Sequence, residues 1–242
     1  MDLRSGDPAR SREFYGSLFG WEAHETAPEF NDYVNFSLDG VMAAGMVAND
    51  PAIGQPDGWT TYFAATNAVA IARTIVAEGG QVPFGPHPVA DIGLMAYAID
   101  LAGAPFGLWQ DLTGGREFAQ ARPGAASYHE LHTNRYADVV AFYAKVFGRP
   151  VKAVGDTDEF RYSQLMADDA TPVAGIMDFS TFAPDVSEWF CYFGSADVDA
   201  TIEQVERLGG AVLEPAMDTP YGRLATVSDP TGAVFKLTSL PG

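Results

Sequence analysis

The amino-acid sequence predicts an α+β fold built from four βαβββ units. Three observations carry that prediction: a tandem repeat along the chain, two helical patterns in each half that stop at glycine, and short strand-like runs between them. Asp2-Leu3-Arg4-Ser5, Phe14-Tyr15 and Leu18-Phe19-Gly20 recur as Glu130-Leu131-His132-Thr133, Phe142-Tyr143 and Val146-Phe147-Gly148, 128 residues further on. Trp59, Tyr62-Phe63 and Gly79-Gly80 return as Trp189, Tyr192-Phe193 and Gly209-Gly210; Asp100, Gly103 and Phe106 return as Asp229, Gly232 and Phe235. An offset that drifts so little over a whole half marks a duplicated unit with small loop changes.

The elements follow in order. Asp7-Pro8 suits a helix start, with Asp7 as cap and Pro8 in the first turn; Phe14, Leu18 and Phe19 then recur at helical spacing before Gly20. Val139, Phe142, Tyr143 and Val146 repeat the pattern before Gly148. A second helix in each half starts after Thr66-Asn67 or Asp197. It carries Val69, Ala72, Ile75 and Val76 in one copy and Ile202, Val205 and Leu208 in the other, and ends at a glycine pair that permits a left-handed stop. Strand-like runs are Tyr33–Phe36, Val41–Val47, Thr60–Ala65, Leu94–Ile99 and Phe106–Trp109, each with a counterpart in the second half. Gly114-Gly115 and Pro123-Gly124 interrupt the pattern, so a connector over 116–126 is expected to separate a domain over 1–115 from one over 127–242.

Composition excludes several functions. With 14 Lys plus Arg against 32 Asp plus Glu the net charge is −18, which repels nucleic acid and anionic membrane surfaces. No apolar run is long enough for a membrane span, and Met1-Asp2-Leu3-Arg4 lacks the character of a secretory signal, so the expectation is a cytoplasmic protein. Cys191 stands alone, which rules out an internal disulfide and a Cys-rich metal site.

Phe14-Tyr15, Leu18-Phe19-Gly20-Trp21, the glycine pairs before strands, and Asp229-Pro230-Thr231-Gly232-Ala233-Val234-Phe235 together resemble the vicinal oxygen chelate superfamily, in particular its two-domain glyoxalase/bleomycin-resistance, Cfp30B-like members. The resemblance covers essentially the whole chain. It implies two domains of paired βαβββ units whose curved mixed sheets form cups for a small molecule. Metal-using members place a ligand on the opening strand of each unit and a carboxylate on the closing strand. By the family's spacing, Tyr128 stands at one opening-strand position, while the same count from Phe14 runs off the chain; Thr61 and Cys191 hold the others. Gly107 and Lys236 replace the closing-strand carboxylates. The expectation is therefore no metal and no cofactor, and neither glyoxalase I nor extradiol dioxygenase activity.

In the register the resemblance implies, Tyr128, Glu130 and His132 share a face with Cys191, Phe193 and Lys236 in the second cup. Glu130, His132 and Lys236 are the candidates for metal-free acid–base chemistry, as a lyase, isomerase or accessory hydroxylation factor; a structural hydrogen-bonded network is the alternative. Arg4, Thr61, Phe63 and Trp109 are expected to line the first cup, and with Tyr128, Cys191 and Phe193 to bind a ligand. The functional expectation is binding of a hydrophobic or aromatic small molecule of antibiotic or secondary-metabolite type by a monomer or homodimer. His87, between Pro86 and Pro88, is expected in a solvent-facing loop; His24 is expected at the surface, and Trp59 and Trp189 in the core.

Overall fold

The computed structural model describes residues 1–242 except 27–29, 31, 51, 53, 116, 158, 159, 241 and 242. The first module comprises β1 (Asp2–Ser5), α1 (Pro8–Phe19), β2 (Glu22–Glu25), β3 (Val34–Leu38) and β4 (Val41–Ala48), followed by a short β5 (Gly58–Thr60). The second comprises β6 (Tyr62–Ala64), α2 (Ala68–Ala77), β7 (Gln81–Val89), β8 (Gly93–Ile99) and β9 (Pro105–Asp111). The third has β10 (Ala126–Thr133), α3 (Tyr136–Phe147), β11 (Val151–Asp156), β12 (Arg161–Met166) and β13 (Pro172–Asp178). The fourth has β14 (Glu188–Ser195), α4 (Val198–Arg207), β15 (Ala211–Thr219), β16 (Gly222–Ser228) and β17 (Val234–Ser239). In every module the opening strand pairs in parallel with the closing one: β1 with β4, β6 with β9, β10 with β13, and β14 with β17. A parallel pair needs a crossover, and the helix supplies it.

Local chemistry accounts for the helices. Asp7 accepts a hydrogen bond from the Arg10 amide, and Pro8 opens α1, which ends on left-handed Gly20. Asn67 and Asp197 cap α2 and α4 in the same way, and α3 ends on left-handed Gly148. Val139, Phe142, Tyr143 and Val146 are all buried, as their spacing predicts. In α2 the buried residues are Ala68, Ala72 and Ile75, whereas Val69 and Val76 are exposed. No helix among the described residues is long and apolar enough to cross a membrane.

Two compact units form, and neither is a contiguous half of the chain. The first unit is Met1–Thr60, Glu117–Tyr128 and Cys191–Gly242; the second is Thr61–Arg116 and His129–Phe190. The stretches 1–115 and 127–242 expected from the repeat are thus not the packing units. Aromatic packing is the reason. In the first unit, Phe19 of α1 lies 5.0 Å from Phe193, and Tyr15 lies 5.9 Å from Phe235. In the second unit, Phe63 lies 5.2 Å from Trp189 and Phe106 lies 5.6 Å from Tyr143. Each core is therefore closed by rings from modules far apart in sequence.

One buried relay occurs in each unit. Trp59 Nε1 donates to the Tyr15 hydroxyl at 3.1 Å, and that hydroxyl donates to Asp229 Oδ2 at 3.1 Å. Trp189 Nε1 donates to Tyr143 at 2.9 Å, and Tyr143 to Asp100 Oδ2 at 3.2 Å. The other carboxylate oxygen holds a turn: Asp229 Oδ1 accepts from the Thr231 and Ala233 amides, and Asp100 Oδ1 from those of Ala102 and Ala104. Burial raises both tyrosine hydroxyls well above their usual pKa and also raises the Asp100 carboxyl.

The segment expected as a connector is a packed strap of the first unit, apart from residue 116, which lies outside the described residues. Ala119 and Ala125 are buried; Trp21 Nε1 donates to the Gly124 carbonyl at 2.7 Å and Arg122 to the Leu38 carbonyl at 2.7 Å. His87 is exposed as expected, but in a strand rather than a loop. β7 lies at a sheet edge and pairs with β8 through two register shifts, which is how an edge strand tolerates Pro86 and Pro88. His24 is exposed on β2 and shares a 2.8 Å hydrogen bond with Ser37.

Tyr15→Phe and Tyr143→Phe are each expected to cost about 1–3 kcal/mol, because each leaves a buried indole N–H and a carboxylate oxygen short of a partner. Urea unfolding with an unchanged m-value checks this, and losses below about 0.5 kcal/mol in both variants would contradict the relay's role.

Candidate active site

Alternation along β10 sets the site. Leu131 points into the core of the second unit, so Glu130 and His132 stand on the opposite, open face, with Tyr128 on the same side of the strand. Glu130 Oε1 lies 2.8 Å from His132 Nε2, and Tyr162 donates its hydroxyl to Glu130 Oε2 at 2.9 Å. Both side chains are nearly buried, at 12% exposure for Glu130 and 7% for His132. A carboxylate only accepts hydrogen bonds, so in the neutral imidazole the proton stands on Nε2 and the lone pair on Nδ1. Nδ1 has no hydrogen-bond partner among the described residues.

Aromatic rings frame this pair. His132 stacks on Phe179 at 4.3 Å and 28°, and Phe190 approaches to 4.8 Å. Phe160 stacks on Tyr162 at 5.7 Å, and Phe182 lies 5.1 Å from Phe179. Phe182 is 69% exposed and Phe160 37%. On β14 the Glu188 carboxyl shares the side of Phe190; desolvation raises its pKa, with His132 acting in the opposite sense.

Lys236 is not part of this group. It belongs to the first unit, where Nζ donates to Thr226 Oγ1 at 3.0 Å, lies 3.4 Å from Glu214 and sits 5.8 Å above the Tyr192 ring. Thr226 in turn donates to Glu214. Tyr128 lies 6.3 Å from Tyr192 in that same unit. The expected trio of Glu130, His132 and Lys236 therefore divides into a Glu–His pair in one unit and a lysine cluster in the other, because the fourth module packs with the first.

Four expected ligand-binding residues face the core instead. Phe63 packs among Phe106, Phe147 and Trp189. Cys191 and Phe193 are fully buried in the first unit's core. Thr61 is buried and hydrogen-bonds His129 Nδ1 at 3.1 Å. The physical reason is parity. Trp59 and Trp189 are turned inward by their bonds to Tyr15 and Tyr143, so residues at even spacing beyond each tryptophan share that inward side. Arg4 and Trp109 alternate with core residues and stand on the open side: Leu3 and Leu108 are buried, whereas Arg4 reaches the Pro56 carbonyl at 3.4 Å. Trp109 lies over Gly93, where a Cβ would approach its ring to 2.5 Å. Its buried Nε1 has no hydrogen-bond partner among the described residues.

The residues at the family's metal positions do not suit a metal. A Cβ at Gly107 would overlap the Tyr62 ring, so an aromatic side chain fills the space of a closing-strand carboxylate. At Gly45 the Asp2–Tyr33 hydrogen bond of 2.8 Å crosses the corresponding space. Lys236 is a cation, and no group of three or more His, Cys, Asp or Glu side chains is gathered among the described residues.

Tyr162, Phe179 and Phe190 are site residues that sequence reasoning missed. Phe190 was accessible through the Trp189 parity. Phe179 follows the end of β13, where no periodicity assigns a direction.

Over its second half, residues 126–237, the chain matches the Glyoxalase/Bleomycin resistance protein/Dioxygenase superfamily. It is 34% identical to the anthracycline biosynthesis protein DauV of Streptomyces sp. strain C5, over 99% of this chain and 92% of that one. The chain belongs to this superfamily. Identity is 32% to the anthracycline biosynthesis protein DnrV of Streptomyces peucetius (99% and 92% covered) and 32% to the putative glyoxylase CFP32 of Mycobacterium bovis (98% and 92%). Among solved structures, the Mn(II)-bound glyoxalase from Novosphingobium aromaticivorans superposes with a TM-score of 0.68 at 19% identity, over 98% of this chain and 80% of that one. The 2,2',3-trihydroxybiphenyl 1,2-dioxygenase from Sphingomonas wittichii RW1 gives 0.63 at 13% identity, over 98% and 87%. These two likenesses show the superfamily fold.

Burial lowers the His129 imidazole to about 3, so it is neutral in the folded protein near neutral pH. A base whose pKa is depressed by folding binds fewer protons than in the unfolded chain, so its contribution is present above the unfolded value of about 6.5 and is lost as pH falls toward 3. Stability is expected to fall by up to roughly 1.4 kcal/mol per pH unit through that window from this residue alone. Denaturation of His129→Gln at pH 7 and pH 5 checks it, because the variant's stability should decline less between the two pH values than that of the parent.

Proposed function

We propose that the protein binds a flat aromatic small molecule of secondary metabolism on the open face of the second unit, without a metal ion. The observation that supports this reading is the arrangement around His132: an imidazole locked by Glu130 and stacked on Phe179, within a run of rings that ends in the exposed Phe160 and Phe182. Stacking a planar ligand on such rings removes apolar surface from water and satisfies the ring quadrupoles, while the buried polar pair fixes its orientation. The ligand class agrees with the names of the two Streptomyces relatives, since anthracyclines are planar polycyclic aromatics. The metal-free part rests on Tyr62 over Gly107 and on the cation Lys236.

Calorimetric titration with 1,8-dihydroxyanthraquinone tests the reading. Binding is expected to survive exhaustive chelation, and Phe179→Ala is expected to weaken it by about 1–3 kcal/mol, the scale of one aromatic anchor at a hot spot. Absence of binding, or loss in Trp109→Ala with Phe179→Ala unaffected, would overturn the assignment. Affinity lost on chelation and restored by manganese or zinc would overturn the metal-free part.

A further inference from the structure

We infer that His132 is a proton acceptor for a carbon acid, and that the molecule held on this face is an aryl ketone whose acidic C–H lies between the ring and the carbonyl. The inference rests on the binding reading above and extends it from binding to a reaction.

The geometry is that of an oriented base. Glu130 Oε1, 2.8 Å from Nε2, accepts the imidazole proton and fixes the tautomer; Tyr162, donating to Oε2 at 2.9 Å, holds that carboxylate in place. The basic lone pair on Nδ1 is left without a hydrogen-bond partner among the described residues, on a side chain only 7% exposed. Phe179 and Phe190 restrict rotation of the ring. A nearly buried imidazole so oriented and so framed by apolar rings is matched to a weak acid presented by an aromatic ligand.

The step balances without an oxidant or co-reactant. The C–H bond beside the carbonyl breaks, its electron pair becomes the enolate double bond with the negative charge spread into the aryl ring, and the proton moves to Nδ1. Glu130 stabilises the resulting imidazolium through the bond to Nε2. Exchange of the imidazolium N–H with solvent, followed by delivery to the same carbon, gives hydrogen exchange; in a ligand with a double bond next to the acidic carbon, delivery to the far end of the dienolate gives isomerisation. His132 touches the reacting atom; Glu130 is a positioning residue.

Two measurements test this. The first needs no ligand: ¹⁵N spectra of the protein at pH 8 are expected to show His132 with a protonated Nε2 and an unprotonated Nδ1, and Glu130→Gln to shift that tautomer balance. A proton on Nδ1 in the unsubstituted protein would overturn the proposal. The second uses 2-tetralone in D₂O, with binding followed by saturation transfer and exchange at C1 by proton NMR. Wild type is expected to accelerate exchange and His132→Gln to lose at least about tenfold of that acceleration, a modest share of what a positioned base supplies. If 2-tetralone binds but wild type and His132→Gln exchange it equally, the proton-transfer step is wrong while the binding reading stands. If 2-tetralone does not bind, both fall.

Discussion

The structure depends on the relay from tryptophan through tyrosine to aspartate, formed once in each compact unit. It spans three elements at once: a strand through Trp59 or Trp189, a helix through Tyr15 or Tyr143, and a turn before a closing strand through Asp229 or Asp100. All of these groups are buried, so a missing partner leaves an unsatisfied dipole or charge in a low-dielectric core. Each relay also joins modules from opposite halves of the chain. Tyr15 bonds to Asp229 and Tyr143 to Asp100, and the compact units follow this pairing rather than sequence order.

The relay also sets the chemistry of the sheet faces. By turning Trp59 and Trp189 inward, it commits Thr61, Phe63, Cys191 and Phe193 to the core and leaves Tyr62, Phe190 and Tyr192 on the open side. A strand has no intermediate orientation, so a register error of one residue exchanges its two faces. That is why Thr61 and Cys191, expected on open faces, are buried, and why the open faces carry Tyr62 over Gly107 and Lys236 beside Glu214.

Between Glu130 and His132, the polar and aromatic demands agree. The pair is nearly buried, so its members must bond to each other or to neighbours, and Tyr162 is a further partner of the carboxylate. The surrounding rings lower the local polarity, and among the described residues the second imidazole nitrogen has no hydrogen-bond partner. The first unit's polar cluster is different in kind: its lysine donates to Thr226 and lies close to Glu214.

The sequence by itself determined the four βαβββ modules, the helix stops at Gly20 and Gly148, the inward tryptophans and the superfamily, because these rest on local periodicity, capping and a repeat that any folded form must respect. It also placed Glu130 and His132 on one side of one strand, since spacing of two along a strand is a local fact. Only the tertiary structure decided which modules share a core, that residues 117–126 are packed into a unit rather than free, that Lys236 belongs to a different compact unit from Glu130 and His132, and that Phe179 stacks on His132. Those outcomes depend on which aromatic surfaces meet across long sequence separations, and two halves nearly identical in pattern offer alternative pairings that periodicity cannot rank.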